Sequence, residues 1–293
     1  NKFCYVTARF MPNVFNYKHR IVWSKNEVVN NNNQIIHPTV RAIFNHLKIK
    51  RGLEIHYQGD LQKNSGLGTS SSFCVGLINS IKNLYNININ ERNLAINANY
   101  VEQKIMKEKS GSQDSIWAAY GGFNSINFYK KNFKVNKFNL SKKQLIKMSE
   151  NLLLIYTGIN KYSCNIEKDK ILRLKDNIKH LNKIYDLAKH FKYEISNSSN
   201  YDFIGFMLDE YWSIKKNLSN KVSNFKIDES YKECKNLGST GGKIIGSGGG
   251  GFLLIDCKKK YQSVLKKRLY KLPIIDFNFI NEGSNIIFNS KRI

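Results

Sequence analysis

No stretch of this chain is long and apolar enough to cross a bilayer: runs such as Asn151-Leu-Leu-Leu-Ile-Tyr and Gly251-Phe-Leu-Leu-Ile are strand length, against the roughly 20 residues a spanning helix needs. Cysteine is scarce and shows no pairing pattern. Cys4, Cys74, Cys164, Cys234 and Cys257 are odd in number, scattered and free of any Cys-x-x-Cys, which argues against a disulfide framework and suits a reducing cytoplasm. None of the six histidines falls in a His-Glu-x-x-His or other short-range metal pattern, so a zinc hydrolase or structural zinc is not expected. Acidic residues are few, 22 against 47 Lys and Arg, for a net charge of +25. That balance raises nucleic acid and anionic membrane as partners. The lysines, however, run along the whole chain beside over-used Asn and Ile, with no basic stripe interleaved with aromatics, so neither partner is expected and an anionic substrate fits the charge as well. The opening Asn1-Lys-Phe-Cys-Tyr-Val-Thr has no basic segment, apolar core or small-residue cleavage site of a signal peptide. It also lacks Met and is already in strand-like alternation, so residues before Asn1 are expected.

What the chain does have is centred on Gly59 to Phe73, Gly-Asp-Leu-Gln-Lys-Asn-Ser-Gly-Leu-Gly-Thr-Ser-Ser-Ser-Phe, running into Cys74-Val-Gly-Leu-Ile-Asn-Ser-Ile. Gly66 and Gly68 free the backbone so that successive N–H groups can turn toward one point, where Thr69, Ser70, Ser71 and Ser72 add hydroxyls. The apolar residues Phe73, Val75, Leu77, Ile78, Ile81 and Leu84 predict a largely buried helix whose positive N-terminal end favours an anion. A phosphate cradle is one reading; a glycine-rich loop with N-capping serines and no ligand is the other. It is not a Walker loop: the nearest approach, Gly238-Ser-Thr-Gly-Gly-Lys243-Ile, has the wrong spacing and no hydroxyl after the lysine.

Along the chain, residues 1–25 read as two strands joined by a polar turn near Asn16 to Arg20, 30–34 as a loop, 37–47 as a helix with proline in its first turn, and 53–58 as a strand feeding the Gly59 loop. A helix is expected over 91–107 with Glu102 among its apolar residues. Gly111-Ser-Gln-Asp114 then opens a short helix, where Asp114 by itself reads as a helix cap, and Gly121-Gly122 leads to a strand at 123–128. A buried strand at 151–156 precedes Thr157-Gly158-Ile-Asn-Lys161, and long helical stretches at 171–193, 201–218 and 229–237 mark a more helical half beginning near residue 150. Gly246-x-Gly248-x-x-Gly251 fits the dinucleotide fingerprint by letter, but it opens a strand at 252–256 where that fingerprint must open a helix, so a Rossmann reading fails. A helix at 259–270 and strands at 274–279 and 285–288 complete an α+β pattern.

Taken together, Gly66-Leu-Gly-Thr-Ser-Ser, Glu102 with Asp114, and Gly246-Ser-Gly-Gly-Gly-Gly251 resemble the spread signatures of the GHMP kinase superfamily. Within it, Gly-Ser-Gln-Asp followed by Ala-Ala-Tyr-Gly-Gly-Phe-Asn, and Gly-Ser-Gly-Gly-Gly-Gly-Phe-Leu-Leu, are most similar to the heptose 7-phosphate kinases. The resemblance implies a two-lobed α+β fold: a ribosomal S5-like ATP-binding lobe over 1–150 and a ferredoxin-like lobe with added helices over 151–293. It implies ATP phosphates on Gly66, Leu67, Gly68, Thr69, Ser70, Ser71 and Ser72, Mg²⁺ on Ser70 and Glu102, and Asp114 taking the proton of a sugar hydroxyl. Thr157, Gly158, Lys161, Gly248 and Gly249 would lie near a small-molecule sugar phosphate; Lys161 stands where the family has Arg and can meet a phosphate only as a point charge. The family's amino-terminal Pro-Leu-Arg and Gly-Gly-Gly-Thr-Asp motif does not occur, so a strand and part of the sugar site are expected to be missing. A GHMP kinase for another sugar, such as fucose, shares every ATP-side residue, and a degenerate homologue that binds without turnover is the non-enzyme alternative.

Overall fold

The computed structural model describes residues 1–61, 65–130, 132–159 and 163–290. The chain divides into two compact units, one of residues 2–63, 68–122 and 280–293 and another of residue 1, 64–67 and 123–279.

The first unit is built on a four-stranded sheet of β1 (Cys4–Phe10), β2 (His19–Val22), β3 (Asn26–Val29) and β4 (Leu53–Gly59), in the order β1-β4-β2-β3. Strict alternation in β1 turns Tyr5, Thr7 and Arg9 to solvent and Cys4, Val6, Ala8 and Phe10 inward, as a one-sided sheet requires. The two strands expected in the first 25 residues are present, but they do not pair: β4 lies between them, antiparallel to β1 from Cys4↔Gly59 to Phe10↔Leu53 and parallel to β2. The short β3, not expected, closes a hairpin with β2. Buried Glu27 on β3 accepts bonds from Trp23 Nε1 at 2.7 Å and the backbone N–H groups of Ile36 at 2.6 Å and His37 at 3.1 Å, which ties the hairpin to the start of α1 (Pro38–His46). Three helices follow, α2 (Thr69–Leu84), α3 (Glu91–Tyr100) and α4 (Gln113–Tyr120), with α2 packed on β1 and α4 on both α2 and α3. The helix expected over 91–107 is therefore divided: α3 stops at Tyr100 and a π-helical turn spans Val101–Ile105.

In the second unit, β5 (Asn124–Tyr129) and β6 (Asn132–Lys137) form a hairpin, and α5 (Lys142–Ser149) opens on a capping box between Ser141 and Gln144. Then come β7 (Leu152–Tyr156), α6 (Ser163–Leu172), α7 (Ile178–Asn197), α8 (Phe203–Lys216), α9 (Phe225–Asn236), β8 (Ser239–Ile244), β9 (Phe252–Cys257), α10 (Lys259–Arg268) and β10 (Ile274–Ile275). The sheet β10-β7-β9-β8 is antiparallel throughout and covered on both faces. Leu153, Ile155, Leu253 and Ile255 pack with Trp212, Val222 and Ile227, while Leu152 and Leu254 pack with Met148, Ile204 and Phe203. Two-sided burial explains why Leu152 to Ile155 is apolar at every position.

Two expected strands are corrected. The one at 274–279 shrinks to Ile274–Ile275, and 285–288 forms none. Among the described residues no strand pairs with that segment; Asn79 Nδ2 donates to Ser284 O at 3.1 Å and Oγ at 3.0 Å, and Ile287 and Phe288 are exposed.

Candidate active site

The glycines of the central loop are left-handed where the chain turns into helix, with φ of 82° at Gly66 and 69° at Gly68. Gly68 is the N-cap of α2 and supplies no side-chain cap; the first intrahelical bond is Ser72 N–H to Gly68 O at 2.9 Å. The reading of the serines as caps therefore has no cap bond behind it. The N–H groups of Thr69, Ser70 and Ser71 are the open donors of a 16-residue helix whose dipole adds positive potential at the same end.

Gly68 is also required by what faces it. A Cβ there would lie 3.3 Å from Asp114 Cγ and 3.4 Å from Oδ2, so the start of α2 and the start of α4 meet at this carboxylate. Asp114 is exposed and stands one residue inside α4; the N-cap position belongs to Ser112, which makes no side-chain cap bond. In the first helical turn a carboxylate is favoured by the dipole and remains able to accept a proton from a ligand.

Behind it lies Glu102, 2% exposed. The π-helical turn, closed by Met106 N–H to Val101 O at 2.9 Å, holds its carboxylate between two hydroxyls: Ser71 Oγ donates to Oε1 at 2.8 Å and Ser115 Oγ to Oε2 at 2.5 Å. Burial pushes the Glu102 carboxyl above its usual range, the two serines pull it back, and the negative charges of Glu108 and Asp114 raise it again. Of the two residues expected to share a cation, Glu102 is thus bonded to Ser71, whereas Ser70 faces solvent. Serine hydroxyls and carboxylates are hard oxygen donors, and no cluster of three or more His, Cys, Asp or Glu side chains forms a metal cage among the described residues. Few protein oxygens, with phosphate and water completing the shell, is the arrangement Mg²⁺ prefers, so these residues fit it.

The remaining expected residues lie in the second unit. Thr157 is fixed twice, its N–H to Gly251 O at 2.9 Å and its Oγ1 to the same oxygen at 2.8 Å. Gly158 has φ of 70° and open space around its α-carbon. Gly248 and Gly249 face protein: an added Cβ would fall 2.7 Å from Val222 O and 2.5 Å from Ile166 Cδ1, respectively. The glycines of this loop are thus demanded by the protein's own close packing. Lys161 lies outside the described residues.

Sequence reasoning missed several groups. Ser115 bonds Glu102; its only signal was its place next to Asp114. Lys215, buried on α8, donates from Nζ to Gly246 O and anchors the second glycine loop. Lys243 on β8 lies 4.3 Å from the centre of the Tyr211 ring, and burial lowers its pKa to about 8. Ser65 and Ser247, one in each glycine loop, bury hydroxyls that find no partner among the described residues.

Residues 34–122 match the family of GHMP kinases N terminal domain. The chain is 29% identical over 248 residues to D-glycero-alpha-D-manno-heptose 7-phosphate kinase of Campylobacter jejuni, covering 83% of this chain and 73% of that protein. It is 26% identical over 238 residues to the bifunctional fucokinase/GDP-fucose pyrophosphorylase of Arabidopsis thaliana, covering 78% of this chain but only 22% of that protein. Its fold matches the crystal structure of a D-glycero-D-manno-heptose 1-phosphate kinase from Bacteroides thetaiotaomicron with a TM-score of 0.76 at 19% identity, over 97% of this chain and 86% of the other. The chain thus carries a match to the GHMP kinases N terminal domain over residues 34–122, is similar in sequence to sugar kinases, and shares the fold of a solved heptose 1-phosphate kinase.

Proposed function

We propose that this protein is an ATP-dependent sugar kinase that phosphorylates the anomeric hydroxyl of D-glycero-D-manno-heptose 7-phosphate to the 1,7-bisphosphate, a step toward nucleotide-activated heptose for surface polysaccharide. The observation that carries the reading is the closeness of Asp114 to Gly68, where even a Cβ would crowd it at 3.3 Å, which sets a helix N-terminus against an exposed carboxylate. In this reading residues 1–150 hold the nucleotide, with ATP phosphates received by the Gly66 to Ser72 backbone. Mg²⁺, held by Ser70 and Glu102 with the Ser71 hydroxyl at hand, would neutralise phosphate charge. Asp114 accepts the proton of the attacking hydroxyl. Phosphoryl transfer asks for little more than such alignment and charge compensation. Residues 151–293 contribute Thr157, Gly158, Lys161, Gly248 and Gly249 on the sugar side.

The similarity to heptose 7-phosphate kinase supports the substrate, and the fucokinase relative keeps fucose as the second reading. The test is ADP release by the purified chain with heptose 7-phosphate, fucose, galactose and mevalonate in parallel, with the product read by phosphorus NMR. Release that depends on heptose 7-phosphate, with a new anomeric phosphate signal, is expected. Turnover confined to another acceptor would overturn the substrate assignment.

A further inference from the structure

A second polar concavity lies on the outer face of the first unit's sheet, opposite the face on which α2 packs. Tyr5, Thr7 and Arg9 project from alternate positions of β1, and His56 and Gln58 from β4, with Tyr5 across from Gln58 and Thr7 across from His56. Together they line a pocket of about 220 Å³. At one end sits Glu54, whose side chain is 4% exposed although its position faces outward. It is covered by cations. Arg9 donates to Oε2 from Nε at 2.7 Å and also from Nη2, His56 Nε2 meets Oε1 at 2.7 Å, and Arg20 Nη1 lies 3.5 Å from the same oxygen. Two guanidinium groups against one carboxylate leave positive charge in excess even with His56 neutral.

Satisfying Glu54 accounts for part of this face only. Tyr5, Thr7 and Gln58 line the pocket too, and none of their side chains is among the groups bonded to Glu54. The planar fork of Arg9 is spent on Glu54, so it is not free for two-pronged capture of a carboxylate. What remains is the Arg9 Nη1 amino group, the Thr7 and Tyr5 hydroxyls and the Gln58 amide, joined by His56 Nδ1 when the ring is protonated, since Nε2 already gives its proton to Glu54. Donors from separate side chains on two strands suit an acceptor whose oxygens diverge, as those of a tetrahedral phosphoryl group do. We propose that this outer sheet face binds a small phosphate-bearing molecule at Arg9, His56, Thr7 and Gln58, independently of the loop at Gly68.

The whole chain, saturated with Mg²⁺ and a non-hydrolysable ATP analogue to fill the start of α2, is titrated with inorganic phosphate, glycerol 3-phosphate, acetate and, at matched ionic strength, sodium chloride. The readout is the ring NMR signal of His56, assigned with His56→Gln. A saturable shift is expected with phosphate and the monoester and not with acetate or chloride. Arg9→Gln should weaken it by about tenfold, the size of one lost charge-assisted hydrogen bond. Because Arg9→Gln also uncovers Glu54, the double variant Thr7→Val with Gln58→Leu, which leaves the Glu54 contacts in place, should weaken it as well. A linear shift equal to that of chloride, an acetate shift equal to that of phosphate, or full binding in the double variant would each overturn the proposal.

Discussion

In the proposed reaction Asp114 is the proton acceptor, one carboxylate one residue inside a helix, 3.3 Å from where a Cβ on Gly68 would stand. Asp114→Asn keeps shape and polarity but removes the proton acceptor. We expect turnover to fall by about 10²- to 10⁴-fold while thermal stability and nucleotide affinity stay close to the parent; unchanged turnover would return Asp114 to a structural role. Glu102 makes a different prediction. Its pKa is raised on folding, so its contribution to stability is complete below the ordinary carboxylate pKa and is lost as pH rises through the raised value. Glu102→Gln removes that ionisation, and should raise the melting temperature near about pH 8 more than near about pH 4 while increasing the Mg²⁺ needed for half-maximal turnover. Calorimetry across pH and Mg²⁺ titrations read the two halves separately; a pH-independent change in melting temperature would count against a charged Glu102. The two glycines and Asp114 were legible because residue type alone announces them. The Ser71–Glu102–Ser115 set was not, because which serine faces inward depends on the helical phase set at Gly68, and because the π-helical turn at Val101–Ile105 has no sequence mark.

Elements were readable where a period ran long enough to be seen. β1, β4, α2 and the apolar run of β7 were evident from alternation or continuous burial. β3 is only four residues, β6 (Asn-Phe-Lys-Val-Asn-Lys) offers just Phe133 and Val135 as apolar positions in a two-stranded sheet with β5, and β8 hides in Ser-Thr-Gly-Gly-Lys-Ile, where glycine suggests turn. The glycines of β8 have a packing cause. A Cβ on Gly241 would lie 2.0 Å from Gly205 O, and one on Gly205 would lie 1.9 Å from Thr240 Oγ1, so α8 can rest on β8 only if both remain bare. Gly205→Ala should cost about 1–3 kcal/mol or more, the usual range for overpacking, seen as a lower denaturation midpoint with an unchanged slope. A midpoint equal to the parent would mean that α8 shifts away freely.

Across the whole molecule, the unit bearing Gly68, Glu102 and Asp114 draws on three separated stretches of chain, the last being 280–293. Its seat is tight: a Cβ on Gly283 would lie 2.2 Å from Ala119 O, and one on Gly121 2.0 Å from the carbonyl carbon of Glu282. Gly283→Ala should therefore lower the melting temperature and speed amide exchange at the end of α4, measured by mass spectrometry; parent-like exchange over 113–120 would show that this segment does not brace α4. The same arrangement bears on synthesis. α4 leaves the ribosome roughly 160 residues before Gly283, on the order of 10 s earlier at typical elongation rates. Through that interval the unit that bears Asp114 lacks one of its three stretches of chain, so a nascent or stalled product should be open to proteases and chaperones at α4 until residue 283 arrives.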